Sequence, residues 1–231
     1  SLEDSGWFQF VYLLLKYANE ISKTLQKNYS VLIHCSDGWD RTAQLSALSQ
    51  LLLDPYYRTI KGFAVLVEKD WLSFGHQFGL RNGFKAGSDD QRSPIFLQFL
   101  DAVHQLLEQY PNAFEFNEDM LLFLAKNYNL NIYGTFMFNN EKERDERNAK
   151  NLTPSVWTEI FKDKSKYLNC YYDEKSVKIL EPNYAYYNIK LWTKFFMENN
   201  IYLLNETFYI SDLDRTDSFK KREDFFIYVN N

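Results

Sequence analysis

The sequence predicts an α/β fold, predominantly helical, in which one short buried strand runs into a polar loop and a helix leaves it. Three observations predict this. Apolar residues recur at steps of three and four over much of the chain, the period of amphipathic helices. One short apolar run, Val31-Leu32-Ile33, follows polar Lys27-Asn28-Tyr29-Ser30 and reads as a buried strand. Directly after it stands His34-Cys35-Ser36-Asp37-Gly38-Trp39-Asp40-Arg41-Thr42, a Cys-x5-Arg segment with helical periodicity beyond it.

The elements follow in order. Over residues 6–26, Trp7, Phe10, Val11, Leu14, Tyr17, Ala18, Ile21 and Leu25 mark one buried helix face. A second helix runs from Thr42 to Leu53, with Leu45, Leu48 and Leu52 inward, and stops at Asp54-Pro55. Residues 59–72 read as helix. The stretch 75–91 is Gly-rich, polar and charged, and reads as a loop. Ser93-Pro94 predicts a helix start through a capping hydroxyl and a first-turn proline. Asn117 predicts another cap, and Thr153-Pro154 a third start. The charge run at 140–150 predicts a solvated helix or loop. Beyond residue 165, a strand is expected over Val177–Leu180 and a helix over 188–198. No repeat or linker is visible, so one domain over 1–231 is expected.

Composition sets the outer bounds. Of 231 residues, 45% are hydrophobic and 18% aromatic, enough for a sizeable core. An aromatic membrane-docking patch near residues 200–210 is the alternative to core packing there. The net charge of −5 gives no general attraction to nucleic acid or to anionic lipid. Only Cys35 and Cys170 are present, which makes no disulfide framework and fits a reducing compartment. Cys170 reads as structural or incidental, and His104 as a satisfied packing residue. No His, Cys and Asp cluster has metal-ligand spacing, so neither metal nor cofactor is expected. The start at Ser1 suggests a fragment of a longer protein.

The loop carries chemistry. Hydrolysis of a phosphate ester by a thiol needs an ionised nucleophile, a cradle for phosphoryl oxygens and a proton donor for the leaving alcohol. Cys35 lies between a strand and a helix N-terminus, where free N–H groups favour a thiolate. The amides of residues 36–41 can curl round an anion, with Gly38 permitting the bend. Arg41 offers a planar fork to two phosphoryl oxygens. The Thr42 hydroxyl is placed to donate to the Cys35 sulfur, and His34 to hold the loop from behind. The fold expected is therefore a cysteine-dependent (Cys-x5-Arg) phosphatase fold.

Further segments narrow this. The run from Val31 to Thr42 continues as Ala43-Gln44-Leu45. After it come Asp54-Pro55-Tyr56-Tyr57-Arg58-Thr59-Ile60-Lys61-Gly62-Phe63 and Val67-Glu68-Lys69-Asp70-Trp71-Leu72-Ser73-Phe74-Gly75-His76. Arg92-Ser93-Pro94-Ile95-Phe96-Leu97-Gln98-Phe99, Ala113-Phe114-Glu115-Phe116-Asn117-Glu118 and Tyr133-Gly134-Thr135-Phe136 complete the set. Together these resemble the myotubularins from about residue 5 to 200. The inner Ser-Asp-Gly-Trp-Asp separates that family from tyrosine and dual-specificity phosphatases.

The resemblance implies removal, without metal, of the 3-phosphate of phosphatidylinositol 3-phosphate and phosphatidylinositol 3,5-bisphosphate. It implies Cys35 as nucleophile, Arg41 as phosphate ligand and Asp40 as acid and base. Asp40 acting only as a helix cap or an orienter of Arg41 is the alternative. A carboxylate beside a phosphate dianion should have a raised pKa. Ser36, Asp37, Gly38 and Trp39 would line the substrate; Asp37 shapes the loop, and Trp39 packs on the inositol ring or fills the wall. Arg81 would hold a further headgroup phosphate. Gln77 stands where the family usually has Arg, which predicts weaker headgroup binding. Family members lacking the Cys or Arg are inactive, and both are present here. The resemblance also implies a PH-GRAM domain and the first half of the catalytic domain, with part of its sheet, outside this chain. Membrane contact would come through such domains, on endosomal membranes facing the cytoplasm, and self-association or pairing with another myotubularin is expected. A tyrosine or dual-specificity phosphatase, and a non-catalytic partner module, are the competing readings.

Overall fold

The computed structural model describes residues 5–84 and 89–197, and the backbone of 226–230. Its first helix, α1 (Trp7–Gln26), buries Trp7, Val11, Leu14, Leu15, Ala18 and Ile21. The stripe is rotated from the expected one. Leu15 joins it, Phe10 and Tyr17 are only half-buried, and Leu25 is exposed at the frayed last turn. Asn28 then takes a left-handed φ of 62° and turns the chain into β1 (Ser30–His34).

β1 pairs antiparallel with β2 (Phe226–Asn230), Ser30 facing Asn230 and His34 facing Phe226. The expectation of a buried strand is corrected. Val31 and Ile33 rest on the core, whereas Leu32 on the opposite face is 62% exposed. Alternation of faces along a strand produces this split.

α2 (Arg41–Leu53) leaves the Cys35 loop and crosses α1 closely. Small residues allow the approach. The Ser49 hydroxyl donates to the Leu45 carbonyl at 2.7 Å, and the Ala18 carbonyl of α1 lies 3.5 Å away. The Asp54 carboxylate accepts from the Tyr56 amide and caps the 3₁₀ turn Pro55–Arg58. Thr59 caps α3 (Ile60–Val67).

The single helix expected over 59–72 changes hydrogen-bond pattern midway, becoming a π-helical segment over Glu68–Ser73. That segment presents Asp70 to α2, where it accepts from Ser46 and Gln50. It also drives Trp71 into the core, against Phe96 and Phe99. The stretch expected to be loop contains a one-turn helix, α4 (Phe78–Arg81), anchored by buried Phe78.

Two expected caps are wrong in detail. α5 (Ile95–Gln109) starts after Pro94 with no side-chain cap, so Ser93 does not cap it. α6 (Glu118–Asn127) is capped by Asn117, as expected. α7 (Glu141–Glu146) and α8 (Ala149–Leu152) occupy the charge run. The run is not wholly solvated: Arg144 is buried and donates to the Leu72 carbonyl at 3.0 Å. α9 (Val156–Lys162) is capped by Ser155, while the Thr153 hydroxyl closes α8 on the Ala149 carbonyl.

α10 (Lys164–Tyr167) follows. No strand forms over 177–180; buried Leu180 instead donates its amide to the Leu52 carbonyl at 2.9 Å. Over 188–197 the helix is reduced to the end of a 3₁₀ turn, Tyr186–Asn188, and to α11 (Thr193–Phe196). Buried Trp192 stacks on His104 and donates to Glu118. His104 is packed as expected, but its Nδ1 has no hydrogen-bond partner. The aromatic patch near 200–210 lies outside the described residues.

One buried carboxylate ties the first helix to α5. Asp101 accepts from Trp7 Nε1 at 2.6 Å and Gln105 Nε2 at 2.9 Å. Burial outweighs both hydrogen bonds and pushes its pKa up from 3.8 to about 6. A folded-state pKa above the unfolded value stabilises fully below about pH 3.8, and that stability is lost as pH rises through about 6. Asp101→Asn should therefore lose less stability than the wild type between about pH 4 and pH 7. The difference is up to about 3 kcal/mol, read from urea unfolding at both pH values.

Candidate active site

The loop from Cys35 to Arg41 is held at one end by β1 and at the other by the first turn of α2. Gly38 at φ 88° makes the bend, in a region that side chains with a Cβ rarely enter. The bend turns its amide back toward Cys35. Gly38 N donates to Cys35 Sγ at 3.2 Å, and Thr42 Oγ1 donates to the same sulfur at 3.3 Å.

Cys35 is half-buried, and burial alone would raise its pKa. The Thr42 hydroxyl and the amides of Gly38, Thr42 and Asp37 outweigh that and lower it. Arg41 begins α2 and reaches back across the loop to Ser36 Oγ at 3.3 Å. Ser36 and Asp37 are exposed. Trp39 is half-buried, with an indole N–H that has no partner in the protein. His34 is half-buried at the end of β1.

Asp40 occupies the N-cap position of α2, yet its side chain makes no capping bond. It faces away from Arg41 to two residues beyond the loop. His76 Nδ1 lies 3.0 Å from Asp40 Oδ1 and 2.9 Å from the Trp39 carbonyl. Both neighbours are acceptors, so Nδ1 carries a proton and donates to them. Arg81 Nη2 and Nε lie 2.5 and 3.1 Å from Asp40 Oδ2. Burial pushes the Asp40 carboxyl up, but the His76 and Arg81 hydrogen bonds and charges prevail and hold it below the ordinary aspartate range. The raised pKa expected of a carboxylate beside a phosphate concerns the occupied loop; with its protein partners alone Asp40 is shifted down.

Arg81, which the resemblance assigns to a further headgroup phosphate, sits at the loop, on Asp40. Gln77 is the half-buried residue preceding α4, and its carbonyl accepts the Arg81 amide at 2.9 Å. His76 is the residue that sequence reasoning passed over. Lone histidines are usually packing residues, and only the fold brings this one to Asp40. Among the described residues, no group of His, Cys, Asp and Glu could hold a metal ion. Nor does any helix there have the length and apolarity to cross a membrane.

The family model of the myotubularin-like phosphatase domain matches residues 1–145. The chain belongs to the myotubularin family. It is 49% identical over 194 residues to the rat phosphatidylinositol-3,5-bisphosphate 3-phosphatase MTMR6, covering 83% of this chain and 30% of that protein. Similarity to Xenopus laevis myotubularin is 44% identity over 203 residues, 87% of this chain and 34% of that one. For human phosphatidylinositol-3,5-bisphosphate 3-phosphatase MTMR4 it is 45% over 200 residues, 85% of this chain and 17% of that one. The chain thus spans about a third or less of the length of these myotubularin relatives.

In this myotubularin loop the Thr42 hydroxyl donates to the Cys35 sulfur, a bond that favours the ionised over the neutral thiol. Thr42→Ala should slow iodoacetamide alkylation of Cys35 at about pH 6, as the thiolate fraction falls. A drop of roughly tenfold is expected for about 1.4 kcal/mol of lost hydrogen bonding. An unchanged rate would show that the amides alone set the thiol's ionisation.

Proposed function

We propose that this chain carries the catalytic loop of a phosphoinositide 3-phosphatase acting on phosphatidylinositol 3-phosphate and phosphatidylinositol 3,5-bisphosphate. One observation carries the reading: Cys35 Sγ accepts from the Gly38 amide and the Thr42 hydroxyl at the mouth of a 13-residue helix. That environment favours a thiolate and sets backbone amides around the sulfur, where a phosphoryl group would arrive. The names of the MTMR6 and MTMR4 relatives support the lipid class and the 3-position.

In this reading Cys35 Sγ attacks phosphorus as the P–O bond to the inositol oxygen breaks. Arg41 follows the phosphoryl oxygens through the transition state. Asp40 gives its proton to the departing oxygen, then accepts one from the water that hydrolyses the phosphocysteine. Thr42 donates to the sulfur as it leaves. Ser36, Asp37, Gly38 and Trp39 line the headgroup. The protein would work at the cytoplasmic face of endosomal membranes, brought there by other segments of the full-length chain and by pairing with itself or another myotubularin.

Two substitutions test the assignment in the full-length protein. Cys35→Ser should bind lipid and turn over less than a tenth of the wild-type amount. Phosphate release from phosphatidylinositol 3-phosphate, with phosphotyrosine peptides as comparison, is the measurement. Turnover of the peptides alone would move the protein to the tyrosine phosphatase class. Asp40→Asn should lower the rate on lipid by about 10²–10⁴, the usual worth of a general acid. It should matter far less for a substrate whose leaving group is already a good anion. Equal losses on both would make Asp40 structural.

A further inference from the structure

The inference rests on the phosphatase reading and concerns the order of its steps. In the structure both oxygens of Asp40 are engaged by donors: Oδ1 by His76 Nδ1 at 3.0 Å, Oδ2 by Arg81 at 2.5 and 3.1 Å. A carboxylate suits this ring of N–H groups; a carboxylic acid, with its own O–H to place, does not. The arrangement therefore holds Asp40 without the proton that a leaving inositol oxygen needs.

We propose that the Arg81–Asp40 ion pair is a substrate-operated gate: an anion entering the Cys35 loop draws the Arg81 guanidinium off Asp40, and Asp40 takes up a proton from solvent, while His76 stays and keeps the carboxyl aimed. The two partners differ in how firmly they are fixed. His76 is 1% exposed. Its ring lies edge-on against Trp71 and Phe78, and its amide donates to the Trp71 carbonyl at 2.8 Å. Its Nδ1 also serves the Trp39 carbonyl, so leaving Asp40 would release the loop backbone.

Arg81 ends the one-turn helix α4 and is followed by a turn at Gly83, φ 76°. Its side chain keeps some solvent exposure, and its remaining nitrogen, Nη1, donates to the carbonyl and side chain of Gln91. A guanidinium can exchange one oxyanion for another without losing its fork geometry.

Charge favours the exchange. The charged groups bonded to Asp40 are His76 and Arg81, both from outside the loop, and the other titratable groups of the loop itself are Cys35, Asp37 and Arg41. A Cys35 thiolate and a phosphoryl dianion bring three negative charges to a loop whose one arginine is Arg41. Moving Arg81 onto the anion adds a positive charge there, and protonating Asp40 removes a negative one. Afterwards the proton passes to the leaving oxygen as the P–O bond breaks. The carboxylate then accepts a proton from the attacking water, and once phosphate departs Asp40 releases that proton to solvent and Arg81 returns to it.

The test uses full-length protein carrying Cys35→Ser, which removes the thiol as a proton acceptor, and sulfate, which does not titrate near neutrality. Sulfate binding is followed by calorimetry at about pH 6 in two buffers of different ionisation heat. Uptake approaching one proton per sulfate is expected, falling to near zero when Asp40→Asn is added. A crystal of the sulfate complex should show Arg81 on the sulfate and out of hydrogen-bond reach of Asp40. Sulfate binding without proton uptake, uptake that survives Asp40→Asn, or Arg81 still on Asp40 with sulfate bound would each overturn the gate and leave the phosphatase reading standing. No sulfate binding, together with no turnover by the wild type, would overturn both.

Discussion

The arrangement of the Cys35 loop depends on a single N–H. His76 Nδ1 stands between the Trp39 carbonyl and the Asp40 carboxylate and serves both. A loop that cradles an anion must turn its amides inward and its carbonyls out. A carbonyl held from outside keeps that direction, and the next amide in the chain keeps the opposite one. His76 thereby couples backbone orientation at Trp39 to side-chain placement at Asp40. The loop is short and partly exposed, so it has few contacts of its own with which to do this.

That N–H is fixed by the core. Trp71 is fully buried within the π-helical segment, and its carbonyl takes the His76 amide. The ring of His76 then fits between Trp71 and Phe78. Trp71 packs on Phe96 and Phe99 of α5, and Phe78 on Phe96 and Phe136. Side chains locked in a close-packed interior hold their positions to fractions of an ångström. On the other side Asp70, from the same π-helical segment, binds Ser46 and Gln50 of α2. The helix that leaves the loop and the turn that braces it are thus joined twice, through Asp70 and through His76.

Much of this was legible in the sequence because it is local. The Cys-to-Arg segment, the helix after it, the stop at Asp54-Pro55 and the Asn117 cap each depend on neighbours a few residues apart. What escaped depends on pairs far apart in the chain. The strand was expected to be buried because Val31, Leu32 and Ile33 are all apolar, but burial of Leu32 is decided by what covers each face. The proline-containing starts misled because a proline and a hydroxyl fit a helix start in more than one register: Ser155, not Thr153, accepts the amide of Trp157. His76 was passed over because its role exists only once residue 76 lies against residues 39 and 40. Arg81 was linked to the headgroup by resemblance, and no local pattern could have placed it on Asp40.

A carboxylate carried inside the Cys35 loop has a structural cost that one on a separate segment avoids. In the proposed reaction it adds a negative charge where an anion would bind, too close for solvent to screen the repulsion well. Asp37 in the same loop is exposed and screened; Asp40 is mostly buried and needs partners. The loop cannot supply them, because Arg41 is turned to Ser36 and the amides are turned to the sulfur. The partners must come from elsewhere, and the one-turn helix after His76 provides one of them. Seen this way, the stretch from Gly75 to Arg81 is the counterpart of the loop rather than a connection past it. Its length, its glycine turn and its two basic residues answer the charge that Asp40 introduces.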